Sequence, residues 1–105
     1  MSPLGDIVPL FRSSLAQAYY ESGDLEKSLE SYEGIISRPT SLFYWGEIYA
    51  KSFYMLGKIY EQKDYKGKAI EHYEKFLDLW KDADPGIAEV EDAKKRLTGL
   101  KGENP

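Results

Sequence analysis

The sequence predicts an all-α fold of about five helices, and three observations carry that expectation. Apolar residues recur at three- and four-residue steps in every long segment, and no stretch alternates apolar and polar residues long enough to make a strand. Gly, Pro, Asp and Ser punctuate the chain where such segments stop and start. A chain of 105 residues makes one domain, read as 1–105, and its 42% hydrophobic and 30% charged side chains match ordinary globular usage rather than disorder.

Helix one lies in "VPLFRSSLAQAYYESG", where Phe11, Leu15, Ala18, Tyr19 and Ser22 fall at helical steps, Pro9 suits a first turn and Gly23 ends the run. In "DLEKSLESYEGIIS", Asp24 is an N-cap and Leu25, Leu29, Tyr32, Ile35 and Ile36 form one stripe, so helix two ends near Ser37, with Pro39 beyond it as a stop. A third helix follows the "RPTS" turn and runs to about Lys63, carrying Tyr49, Phe53, Leu56 and Tyr60 at helical intervals. The fourth, from Tyr65 to about Asp82, is the most regular. Tyr65, Ala69, Tyr73, Phe76, Leu77 and Trp80 share one face, and Glu71, Glu74, Lys75 and Asp78 take the other. After the break at "DADPG", where Asp84 caps and Pro85 fits a first helical position, Ile87, Val90, Ala93, Leu97 and Leu100 mark a fifth helix. The tail "KGENP" reads as frayed.

Charge and composition exclude several functions. The net charge is -4 with a pI near 5.0, and residues 1–48 hold three basic against seven acidic side chains, which disfavours a phosphate backbone as partner. The absence of Cys removes disulfides, thiol nucleophiles and zinc fingers, and suits a reducing compartment, so a cytoplasmic location is expected. No apolar run approaches the roughly 20 residues that span a bilayer, and "MSPLGDIVPLF" lacks a signal peptide's basic and long apolar regions, so no membrane association is expected.

No catalytic set, cofactor site or metal site emerges. His72, the one histidine, has no Ser or Cys beside it and is read as a structural or solvent-facing residue on the outer side of helix four. Asp78, Asp82 and Asp84 lack the ligand spacing of a calcium loop, so solvation and capping explain them. "GKIYEQKDYKGK" contains no phosphate loop, and "DAKKR" is a charge run that coats a helix.

An internal repeat gives the clearest signal. "LAQAY", Leu15 to Tyr19, lines up with "LGKIY", Leu56 to Tyr60, and the same offset of forty-one brings Ser28 to Ala69 and Tyr32 to Tyr73. Small residues at Ala16, Gly57, Ser28 and Ala69 let paired helix axes approach while aromatics fill the ends, so Gly57 is expected to face Ala69, and Ala16 to face Ser28. This plan resembles the tetratricopeptide repeat, with its W-x₂-L-G-x₂-Y first helix and a small residue and an aromatic on the second. Repeat one, about 9–42, matches with Leu15, Ala16, Tyr19, Gly23, Ser28 and Tyr32, and repeat two, about 50–83, with Phe53, Leu56, Gly57, Tyr60, Ala69 and Tyr73. The offset exceeds the family period of about 34 residues, so an insert is read near 39–46, around "PTSLFYW". The usual turn glycine of repeat two is Asp64, the later small position carries Ile35 and Phe76, and the closing prolines are displaced to Pro39 and Pro85.

The resemblance implies two helical hairpins of a right-handed α-solenoid fragment, ended by a closing helix at about 85–99 whose outer face carries Lys94, Lys95 and Arg96. It is similar to the C-terminal end of such regions in larger bacterial and archaeal proteins. It also implies a non-catalytic interaction or scaffolding role, with a peptide or protein partner lying along the concave face of the first helices. The matching positions are Leu10, Ser13, Gln17, Tyr20 and Glu21, then Lys51, Tyr54, Lys58, Glu61 and Gln62. The family's clamp for a C-terminal carboxylate is not supported, because its positions read Ser13, Gln17 and Met55. A second expectation sets Tyr20 and Tyr54 as packing residues of a longer array. A third is self-association as a homodimer, through the helix-one edge at Ile7, Leu10 and Phe11 or the aromatic insert Phe43, Tyr44 and Trp45.

Overall fold

The computed structural model describes residues 8–37, 46–80 and 88–102, with side chains from Arg12 in the first stretch and Glu47 in the second. The insert, the caps at Asp84 and Pro85, and the side chains of Ile7, Leu10, Phe11, Phe43, Tyr44, Trp45 and Ile87 lie outside the described residues. Among the described residues five helices form: α1 Val8–Ser22, α2 Leu25–Ile36, α3 Gly46–Gln62, α4 Lys66–Trp80 and α5 Ala88–Leu100. Among the described residues there is no strand, and the fold is the expected all-α set of two hairpins and a closing helix. The chain divides into two compact units, residues 1–52 and 53–105.

In the first unit α1 packs on α2. The hairpin turns at Gly23, whose φ of 88° only a residue without Cβ adopts at no cost. The amide of Asp24 donates to the Tyr19 carbonyl at 2.9 Å, the six-to-one bond of a Schellman end, and the Asp24 carboxylate caps α2 at the Lys27 amide. Close approach is visible at the expected pair: Ala16 and Ser28 are fully buried, and the Ser28 hydroxyl donates to the Ala16 carbonyl at 2.9 Å. Farther along, the Arg12 side chain lies against Gly34, where an added Cβ would stand 2.8 Å from the guanidinium.

The stripe expected on helix one needs correction. Leu15 is 50% exposed and Ala18 and Ser22 are also exposed, while Ala16 is the buried residue and Arg12, Tyr19 and Tyr20 are half-buried. Helical steps define an apolar arc about 100° wide, and a small residue inside it wins the interface because it lets the backbones close. On α2 the wholly buried set is Ser28, Ser31, Tyr32 and Ile35, with Leu25, Leu29 and Ile36 half-buried.

The second unit begins within α3. Its turn repeats the first: Asp64 takes a φ of 65° in the glycine position, and the Tyr65 amide donates to the Tyr60 carbonyl at 2.9 Å. Asp tolerates this left-handed conformation better than most residues, at some cost in strain. The core comprises Phe53, Leu56, Ile59, Tyr60, Ala69, Tyr73 and Phe76, with Val90 and Ala93 from α5, which packs on α4. Aromatic rings interlock at 5.0–6.2 Å: Tyr60 and Phe53 on His72, and Tyr54 on Tyr73 and Phe76.

The atoms nearest to a Cβ added at Gly57 are those of the Tyr73 ring, at 2.7 Å. Two expectations change here. Tyr65 is 53% exposed, so the buried face of α4 starts one turn later, at Ala69. His72 is buried rather than outward; its Nδ1 lies 2.7 Å from the Lys68 carbonyl, which can only accept, so Nδ1 carries the proton and the ring serves as a core residue.

Candidate protein-binding site

In the first unit the site residues stand along α1. Gln17 is exposed, and Ser13 and Tyr20 are half-buried. The Gln17 amide is held at both ends: its Nε2 donates to Glu21 Oε2 at 3.0 Å, and its Oε1 accepts from the Tyr32 hydroxyl at 3.3 Å. Burial, with the Tyr20 and Glu21 charges, pushes the Tyr32 phenol up, so it stays a neutral donor at working pH. One amide N–H and one carbonyl lone pair of Gln17 remain for a ligand, the complement of a peptide group. Lys51, at the start of α3, pairs with Glu47 at 3.1 Å.

In the second unit Tyr54, Lys58 and Glu61 follow one another on one face of α3, one turn apart, and Gln62 is exposed. The Lys58 ammonium sits 5.5 Å over the Tyr54 ring. Tyr54 itself is buried, and its hydroxyl donates to Asp92 Oδ2 at 2.6 Å. Glu61 Oε1 accepts from the Tyr73 hydroxyl at 2.8 Å and from Arg96 at 3.2 Å, and Arg96 Nε donates to Asp92 Oδ2 at 2.7 Å. Desolvation works against the Asp92 charge, but hydrogen bonds from Tyr54 and Arg96 and the Arg96 and Lys58 charges outweigh it and hold its carboxyl below the usual range. Burial and the bond to Asp92 push the Tyr54 phenol up; burial and the bond to Glu61 do the same for Tyr73.

Asp92 and Arg96 are the participants that sequence reasoning missed. Arg96 does not line an outer charged face with Lys94 and Lys95; it turns to α3 while those two stay exposed. The signal for it was the four-residue spacing from Asp92, beside the Val90 and Ala93 stripe. Among the described residues no three His, Cys, Asp or Glu side chains are grouped to hold a metal ion. Nor is any described helix long and apolar enough to cross a membrane.

A family model described as "Tetratricopeptide repeat" matches residues 12–39 and 50–79, more than half of the chain. These two matches fall on α1–α2 and α3–α4. The chain belongs to the tetratricopeptide repeat family, whose members typically serve as non-catalytic modules for protein–protein interaction. No curated protein matches it.

Proposed function

We propose that this chain is a non-catalytic module that binds a peptide or protein through the first helix of each repeat, with Ser13, Gln17 and Tyr20 on α1 and Lys51, Tyr54, Lys58, Glu61 and Gln62 on α3. The observation that carries this reading is the Gln17 amide, fixed between Glu21 and Tyr32 with one donor and one acceptor to spare. A side chain already ordered loses little entropy on binding, so its hydrogen bonds to a ligand backbone count in full. The acidic net charge favours a protein over nucleic acid, and the cysteine-free sequence suits a cytoplasmic setting.

The test is titration calorimetry of a partner recovered with the intact chain. Gln17→Ala and Tyr20→Ala should each weaken it about tenfold or more while circular dichroism stays unchanged. Unchanged affinity for both variants defeats the site.

A second reading, self-association, is favoured by one contrast: Leu15 is 50% exposed whereas Leu56, its counterpart in repeat two, is fully buried. Light scattering at several concentrations decides it. A dimer mass that Leu15→Asp abolishes supports self-association, and a monomer at high concentration ends that reading.

A further inference from the structure

The arrangement around α5 goes beyond a cap. We infer that α5 is a built-in, displaceable occupant of a two-pronged site on repeat two, and that this site takes a helical segment of a partner protein carrying a carboxylate and a guanidinium one turn apart.

The receptor side belongs to α3 and α4. Tyr54 offers a hydroxyl donor 2.6 Å from the Asp92 carboxylate, and Lys58 adds positive charge to the same prong. Glu61 offers the second prong, a carboxylate oxygen that the Tyr73 hydroxyl holds at 2.8 Å and that receives Arg96 at 3.2 Å. Tyr54, Lys58 and Glu61 lie one turn apart on α3, and Asp92 and Arg96 lie one turn apart on α5, so the two helices read each other by charge and spacing. Any helix with Asp or Glu followed four residues later by Arg presents the same pair.

The hold on α5 suits exchange. Its wholly buried residues are Val90 and Ala93, both small, while Leu97 and Leu100 are only half-buried. Its polar anchors stay reachable by water: side-chain exposure is 36% for Arg96, 35% for Asp92 and 32% for Glu61. Ion pairs this exposed are weak and screened by salt. The α3–α4 pair, by contrast, is locked by the Tyr73 ring against Gly57 and by buried Phe76. This inference rests on the binding-module reading for the identity of the displacing partner; the exchange of α5 itself does not.

The experiment uses the full chain with Asp92→Asn and Arg96→Gln combined, and a fluorescent synthetic peptide of residues 86–102 as probe. In the unaltered chain the tethered α5 competes at millimolar effective concentration, so the peptide should bind the double variant about tenfold or more tighter than the unaltered chain, and less tightly as salt rises. A peptide carrying the same two substitutions should not bind. Hydrogen exchange should show α5 amides of the double variant losing protection while those of α3 and α4 keep theirs. Three results overturn the inference: α3 and α4 losing protection together with α5, an undocked α5 with no peptide binding, or equal binding of the substituted peptide. None of these touches Gln17, so failure here is distinct from failure of the α1 site.

Discussion

Hairpin α1–α2 and hairpin α3–α4 turn with the same backbone bonds on different residues. In both, the residue after the turn position donates to a carbonyl five residues back at 2.9 Å, from Asp24 to Tyr19 and from Tyr65 to Tyr60. The left-handed position is Gly23 in one and Asp64 in the other. Inside the hairpins the likeness ends. Repeat one closes on Ala16 with the Ser28 hydroxyl bonded across, whereas repeat two strips the first helix to Gly57 and lays the Tyr73 ring on it. Arg12 stands where repeat two has the buried Phe53. The contrast teaches that backbone geometry holds the repeat while side chains renegotiate the filling.

The largest expected effect breaks the filling. Tyr73→Ala should cost about 3–5 kcal/mol in urea unfolding, the range for a large buried aromatic, because its ring packs on Gly57 and Tyr54 and its hydroxyl holds Glu61. Tyr32→Ala, whose hydroxyl makes a longer 3.3 Å bond, should cost less; equal losses would erase the distinction between the hairpins.

Next come the two helical glycines. Gly57→Ala forces a Cβ within 2.7 Å of a fully buried ring and should destabilise by about 1–3 kcal/mol. Gly34→Ala meets only the far end of the Arg12 side chain, so the helix preference of Ala, about 1 kcal/mol, should leave stability unchanged or raised. Melting temperatures moving in the same direction by similar amounts would contradict this.

The turns sharpen the comparison at about 1 kcal/mol: Asp64→Gly should raise the midpoint by relieving the left-handed strain, and Gly23→Asp should lower it by a similar amount.

The smallest effect is set by pH. The Asp92 carboxyl is held down in the fold, so its contribution is full above the unfolded value near 3.9 and fades as pH falls through the lower folded one. The protection of α5 amides against hydrogen exchange, relative to the intrinsic rate at each pH, should therefore fall below about pH 4, and Asp92→Asn should remove that acid limb. The buried phenols Tyr32, Tyr54 and Tyr73, pushed up, act oppositely: their contribution is full below about 10 and is lost as pH rises through the folded values.

Much of this was legible in the sequence. Five helices, the Asp24 cap, the Gly23 stop and the pairing of Ala16 with Ser28 follow from spacing and residue size, which act over a few residues. What spacing could not give is rotation and choice of partner. An arc of apolar residues does not say that Ala16 rather than Leu15 faces α2, nor that the Tyr73 ring lies on Gly57, because both depend on how closely two axes settle. His72 seemed outward because a lone polar residue beside Tyr73 reads as solvated; the Lys68 carbonyl and two flanking rings make it a core residue. The site split the same way. Register places the candidates Gln17 and Lys58 on the first helices of the repeats, where they lie, but the turning of Arg96 toward Glu61 joins residues thirty-five positions apart, and no local pattern reports that.

Those separations also set an order of assembly. The bonds that close the hairpins span twelve residues, Ser28 to Ala16 and Tyr73 to Glu61, whereas Tyr54 to Asp92 spans thirty-eight. Closing the longer loop from an open chain costs about 1 kcal/mol more, and a hairpin already formed removes most of that span. The hairpins should therefore belong to the folding nucleus and α5 should arrive after the barrier, so that Asp92→Asn speeds unfolding without slowing folding, while substitutions at Ala69 slow folding. A newly made chain would complete each repeat before α5 has a place to dock.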